Sequence, residues 1–200
     1  MTKWLAAIAL TLVTATGAQA FEPPVDAVVG KYKQGKLVDF RDVGTLMRES
    51  ARWCYDHVDH SCAWADTYLE VDDVDASFEI TNAWDAERNI GYTDHAVFKD
   101  NRICQSGYDW IQTVWAESRD NAAPVSGRPL HDLKQEIASM VTTPDRDDCF
   151  DYLYLGAEPQ ADIVTLLQRQ YIGGEYDPAA DVEVTIFMNE PEASSLAMRW

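Results

Sequence analysis

From Cys62 to Cys104 the side chains alternate along the chain, and this alternation narrows the available architectures more than any other feature. Successive side chains of a strand point to opposite faces, so a period of two marks a sheet with two distinct faces. Between Cys62 and Val71, Ala65, Thr67, Leu69 and Val71 fall on one face and Trp64, Asp66, Tyr68 and Glu70 on the other. Asp72-Asp73-Val74-Asp75 reads as a turn, after which Ala76, Phe78, Ile80 and Asn82 alternate with Ser77, Glu79 and Thr81. Asn89 to Phe98 reads as a further strand, bulged or broken at Gly91. Lys99-Asp100-Asn101-Arg102 then turns into a short strand holding Ile103 and Cys104. Consecutive strands with short turns predict an antiparallel meander over 62–105. A helix over 62–71 competes, because Ala63, Trp64, Thr67, Tyr68 and Val71 also form a stripe, but Thr, Tyr and Val favour the pleat.

Outside the meander the period changes. Phe40, Val43, Met47, Ala51 and Cys54 recur at three- and four-residue steps and predict a helix over 40–54, capped by Asp39. Pro129 followed by Leu130, Leu133, Ile137 and Met140 predicts a second helix. Pro159 followed by Ile163, Leu166, Leu167 and Gln170, with Gly173-Gly174 as a stop, predicts a third. The segments 108–117 and 149–155 fit either type. Val182, Val184, Ile186 and Met188 alternate as a final strand. Residues 21–36, with Pro23, Pro24, Gly30 and Gly35, read as an extended arm, and 190–200 as a loose tail. No repeat and no Gly-, Pro- or Ser-rich linker divides the chain. The expected fold is therefore α+β: an antiparallel β-meander packed with three or so helices in a single mature domain, residues 21–200, stapled by disulfides.

Residues 1–20 carry Lys3, an apolar stretch from Trp4 to Val13 and the small residues Ala18 and Ala20 around Gln19. That is the pattern of a secretory signal peptide cleaved after Ala20, which places the protein in the periplasm or the medium. No apolar run reaches the roughly 18–20 residues of a spanning helix. Export permits disulfides, and the four cysteines, Cys54, Cys62, Cys104 and Cys149, read as two structural bridges. Were Cys54 and Cys62 on one helix, their Cα atoms would lie about 12 Å apart at ~1.5 Å per residue, beyond the ~7 Å limit of a bridge. Either the helix ends near Tyr55 and a local Cys54–Cys62 bridge leaves Cys104–Cys149, or each pairs elsewhere, Cys62–Cys104 across the meander being the main rival.

The formal charge is −18, from 34 acids and 16 bases, and one unit more negative without Lys3. Such a chain repels a phosphate backbone, which excludes direct nucleic-acid binding. Between Arg52 and Arg88 lie ten acids and no base; from Asp145 to Glu192 lie twelve acids and only Arg146 and Arg169. On one shared face these would attract cationic partners, although simple solubility accounts for them as well.

Several clusters carry candidate chemistry. Asp56-His57-Val58-Asp59-His60 concentrates metal-ligand types, which His95 or His131 would complete; a polar surface turn is the plainer reading. Asp73-Val74-Asp75-Ala76-Ser77 begins like a calcium loop but has Phe78 and Trp84 where Gly and Glu belong. Asp145, Asp147, Asp148 and Asp151 form an acidic cluster near Cys149 that would suit irregular calcium binding or a solvated loop. Ser106-Gly107 with His95 or His131 as base has no nucleophile-elbow motif behind it. Asp66 and Glu70 share a strand face with Trp64 and Tyr68, carboxylates beside rings as a sugar site has them, or an ordinary sheet face. No residue is assigned a catalytic or metal-binding role and no cofactor is expected.

The composition points to a non-enzymatic periplasmic or secreted binding protein for a cationic partner, whether basic protein, peptide or metal ion. A small cell-envelope hydrolase, with or without a metal, is the alternative. A third reading is an assembly factor whose arm, residues 21–36, pairs with another chain.

Overall fold

The structure is a computed structural model that describes residues 21–105, 109–141 and 148–200. Eight antiparallel strands follow one another: β1 (Arg52–Tyr55), β2 (Trp64–Val71), β3 (Asp75–Ala83), β4 (Arg88–Lys99), β5 (Arg102–Gln105), β6 (Asp148–Glu158), β7 (Ile163–Ile172) and β8 (Glu175–Phe187). Each pairs with the next, and β8 returns to β1 through Val184 opposite Tyr55 and Ile186 opposite Trp53. The ring is closed: an up-and-down eight-stranded barrel in which every ring strand pairs on both sides.

This overturns the α+β expectation. Among the described residues strand makes up 49%, and the four helices are short. The expected meander over 62–105 is present, but it forms half of a ring instead of one face of a helix-backed sheet. The largest correction falls on 159–174. Ile163, Leu166, Leu167 and Gln170 do not share a helix face; they lie on β7, where Val164, Leu166 and Gln168 are buried and the residues between them are not. Gly173 and Gly174 do not stop a helix. With φ of 58° and 89°, they form the two-residue turn between Ile172 and Glu175, the left-handed pair that suits a tight hairpin. The segment 149–155 is strand, within β6. The helix expected over 40–54 ends at Glu49, and Trp53 and Cys54 belong to β1. Gly91 does not break β4; a Cβ there would lie 2.4 Å from the Trp115 ring, so the glycine admits that ring.

Two helices close over part of the core. The helix α1 (Pro23–Val29) occupies what was expected to be an extended arm, with Val25 and Val28 buried. The helix α2 (Phe40–Glu49) is capped by the Asp39 carboxylate, which accepts from the Arg41 N–H at 2.9 Å. Val43, Leu46 and Met47 of α2 join Trp53, Leu166, Val184 and Ile186 in the main core.

β5 is only four residues long, while its neighbours β4 and β6 have 12 and 11. Short strands cover the excess: Trp115–Ser118 pairs with the start of β4, and Lys36–Leu37 with Tyr154 and Leu153 of β6. The insertion between β5 and β6 also carries α3 (Arg128–Met140), the expected second helix, whose Leu133 and Ile137 pack with Ile90 and Ala116.

The bridges are Cys54–Cys62 and Cys104–Cys149. The first staples the loop between β1 and β2; the second joins directly opposed residues of β5 and β6. The tail is not loose. Asn189 caps α4 (Glu190–Ser195), Ala197–Met198 pairs in parallel with Ser61–Cys62, and Ala193, Leu196 and Met198 are buried around the first bridge. The bridges are compatible with an exported protein. Among the described residues no helix is long and apolar enough to cross a membrane.

Candidate functional site

The alternation of the strands places every second residue inside the ring, and these side chains do not fill it. A cavity of about 200 Å³ remains. Seven of the eight strands line it: Tyr55 of β1; Trp64, Asp66 and Tyr68 of β2; Phe78 of β3; Ala96 of β4; Ile103 and Gln105 of β5; Phe150 and Tyr152 of β6; Gln168 and Gln170 of β7. Half of these residues are aromatic, and Asp66, Gln105, Gln168 and Gln170 supply polar groups. Tyr55 stacks on Trp64 with ring centroids 4.7 Å apart and an angle of 11°. Trp53, fully buried behind the wall, meets Tyr68 and Tyr152 edge-on at 5.4 and 5.5 Å. These contacts, and the bond from Tyr152 Oη–H to Gln168 Oε1 at 2.9 Å, hold the rings in place.

Asp66 is the one charged residue in this lining, and it is 5% exposed. Its Oδ2 accepts a hydrogen bond from the Tyr55 hydroxyl at 2.7 Å. Its Oδ1 is buried and has no hydrogen-bond partner. Burial raises its carboxyl from 3.8 to about 7; the Tyr55 hydrogen bond lowers it, and the negative charge of Asp94 on β4 raises it further. An unpaired buried carboxylate oxygen is costly, so a partner that supplies a proton or a positive charge gains from meeting it. Burial pushes the tyrosines Tyr55, Tyr68 and Tyr152 well above 10, so they remain neutral donors.

The other candidates fare differently. Asp66, Trp64 and Tyr68, read from sequence as one strand face, do come together, and that face points inward. Glu70 does not join them, because a bulge between Tyr68 and Glu70 shifts the register and leaves Glu70 exposed. In the 56–60 turn, Asp56 is held by Arg199 Nη2 at 2.5 Å, and His57 packs edge-on against Phe187 with its centroid 5.3 Å away. Burial, then the charges of His60 and Arg199, hold His57 below its usual value. His95 lies on β4 and His131 on α3. Among the described residues no three His, Cys, Asp or Glu side chains converge as metal ligands. Asp72 Oδ1 accepts from the N–H groups of Val74 and Asp75, so this segment is a hairpin turn. Asp151 is held on the barrel's outer side by Arg169, at 2.6 and 2.8 Å, and by the Tyr171 hydroxyl at 3.0 Å. Asp145, Asp147, Ser106 and Gly107 lie outside the described residues. The two acidic stretches centre on β2–β3 and on β6–β8, which sit largely across the ring from each other.

Sequence reasoning passed over Tyr55, Phe78, Tyr152, Gln168 and Gln170. The available trace was period-two spacing, as in Phe150 and Tyr152 or Gln168 and Gln170. Compared with protein-family models, with curated proteins and with solved structures, the chain matches none.

Proposed function

We propose that this chain is an exported, non-enzymatic binding protein that holds a small ligand inside its barrel. The observation that carries the reading is the 200 Å³ cavity inside the ring, open on one side, with one unsatisfied carboxylate among aromatic rings and glutamines. Concave sites that combine aromatic surface with a few placed polar groups, here Asp66, Gln105, Gln168 and Gln170, are where proteins hold small molecules. The volume bounds the guest: an apolar cavity of ~150 Å³ takes benzene, with six heavy atoms, so the 200 Å³ here suits a molecule of roughly eight. The signal peptide read over residues 1–20, and with it a periplasmic or secreted location, belongs to the same proposal; the two bridges support it.

A barrel that works this way needs a stable ring and a guest-sized void, and both are supported by the closed pairing and the fixed rings. The test is calorimetric titration of residues 21–200 with ethylbenzene, phenethyl alcohol and phenethylamine. At least one is expected to bind one-to-one with a Kd below about 1 mM. Ala96→Leu, which adds bulk to the buried wall, is expected to abolish that binding. Absence of binding by all three probes would overturn the reading.

A further inference from the structure

We infer that the ligand is a small organic cation, an amine on an aromatic or compact apolar body, whose ammonium group sits on Asp66. The inference rests on reading the barrel as a ligand cavity and adds the chemistry of the guest.

Asp66 offers a buried carboxylate with only one oxygen engaged, by Tyr55, and the other free to accept. The lining contains no Lys, Arg or His to neutralise it. The groups that act on it are Tyr55 from β1, Tyr68 from its own strand, Tyr92 and Asp94 from β4, and Tyr152 from β6. None is basic, and Asp94 is a second negative charge, so an anionic guest is repelled. A neutral guest can offer the free oxygen a hydrogen bond at most and leaves the buried charge uncompensated. An ammonium group satisfies the free oxygen and the charge together, and such charge-assisted bonds are the strong ones. The remaining walls suit the same guest. Trp64, Tyr68, Phe78 and Tyr152 present ring surface, which attracts cations through the ring quadrupole and accepts an apolar body equally well. The carboxyl of Asp66, raised to about 7 by burial, makes capture sensitive to pH in the neutral range: the amine competes with a proton for the same oxygen.

The experiment compares phenethylamine with phenethyl alcohol, nearly isosteric but uncharged, by calorimetry on wild type and Asp66→Asn at pH 6 and 8. At pH 8 the amine is expected to bind wild type at least about tenfold tighter than the alcohol. Its affinity should fall toward pH 6 by up to roughly tenfold per unit below the Asp66 midpoint, while that of the alcohol does not. Asp66→Asn should erase the preference for the amine and keep the alcohol. Equal affinity of the two probes for wild type, or amine binding that survives Asp66→Asn unchanged, overturns the inference and leaves the cavity reading standing. If no probe binds, both fall. Should Asp66→Asn fail to fold, the wild-type ratio and pH profile decide alone.

Discussion

Asp66 places an acid in an interior otherwise lined by aromatic, aliphatic and glutamine side chains, and that has a consequence for stability as well as binding. Its carboxyl is raised from 3.8 in the unfolded chain to about 7 in the fold. A raised acid means that the folded state binds the proton more tightly, so its contribution is most favourable below pH 4 and is lost as pH rises to about 7. Three units correspond to a few kcal/mol at about 1.4 kcal/mol per unit. Asp66→Asn removes the term. Thermal melts of wild type and variant are therefore expected to show the variant gaining relative to wild type between pH 5 and pH 8. A difference in Tm that stays constant across that range would contradict the burial assigned to this side chain. The same residue shows what local sequence can carry. Trp64, Asp66 and Tyr68 share a face because a strand alternates, and that was legible. Which face turns inward was not, because Ala65, Thr67, Leu69 and Val71 are as apolar as their neighbours.

At the scale of elements, strands with a single admissible period were readable, and those with two were readable only where propensity broke the tie. β3 alternates too regularly for a helix, and in β2, which also offers a helix stripe, Thr67, Tyr68 and Val71 favour the pleat. β7 fits both templates: Ile163, Leu166, Leu167 and Gln170 suit a helix stripe, while Val164, Leu166 and Gln168 suit a buried strand face. The partners β6 and β8 settle the matter by supplying hydrogen bonds on both sides. The disulfides tie elements of different reach. Cys54–Cys62 spans 8 residues of sequence and Cys104–Cys149 spans 45. Loop-closure entropy assigns about 2.5 kcal/mol to the short link and about 4 kcal/mol to the long one. Replacing Cys104 and Cys149 together by Ser should therefore cost more in urea unfolding than replacing Cys54 and Cys62. The reverse order would mean that the docked C-terminal segment, Ala193 to Met198, depends on the first bridge more than the loop lengths imply.

In the whole molecule the decisive contact is the one that joins the ends of the ring. β1 and β8 are separated by most of the chain, yet Trp53 and Ile186, Tyr55 and Val184 lie opposite each other. Closure makes the core a shared property: Trp53, Leu166, Val184 and Ile186 belong to one cluster with α1 and α2. The barrel should consequently unfold as a unit. Ile186→Ala, which empties a fully buried site, is expected to lower stability by about 2–5 kcal/mol. It should shift the tryptophan fluorescence and far-ultraviolet dichroism transitions together. Two separated transitions would show that the insertion around α3 or the helices α1 and α2 unfold independently of the ring.

The amino-acid sequence by itself determined the quantities that depend on near neighbours. These are the alternation of β2 to β5 and of the end of β8, the helix behind Pro129, the cap at Asp39, and a Cys54–Cys62 bridge as one of three open connectivities. What only the tertiary structure decided is non-local: that β6 and β7 are strands, that residues 21–36 and 190–200 are docked, that β8 returns to β1, and that Asp66 faces the cavity. The physical reason is common to all of these. Period and propensity act over a few residues, whereas strand pairing, burial and ring closure depend on partners from a dozen residues away, as between β6, β7 and β8, to more than a hundred, as between β1 and β8. A carboxylate written into an alternating strand becomes a binding group only when the ring shuts around it.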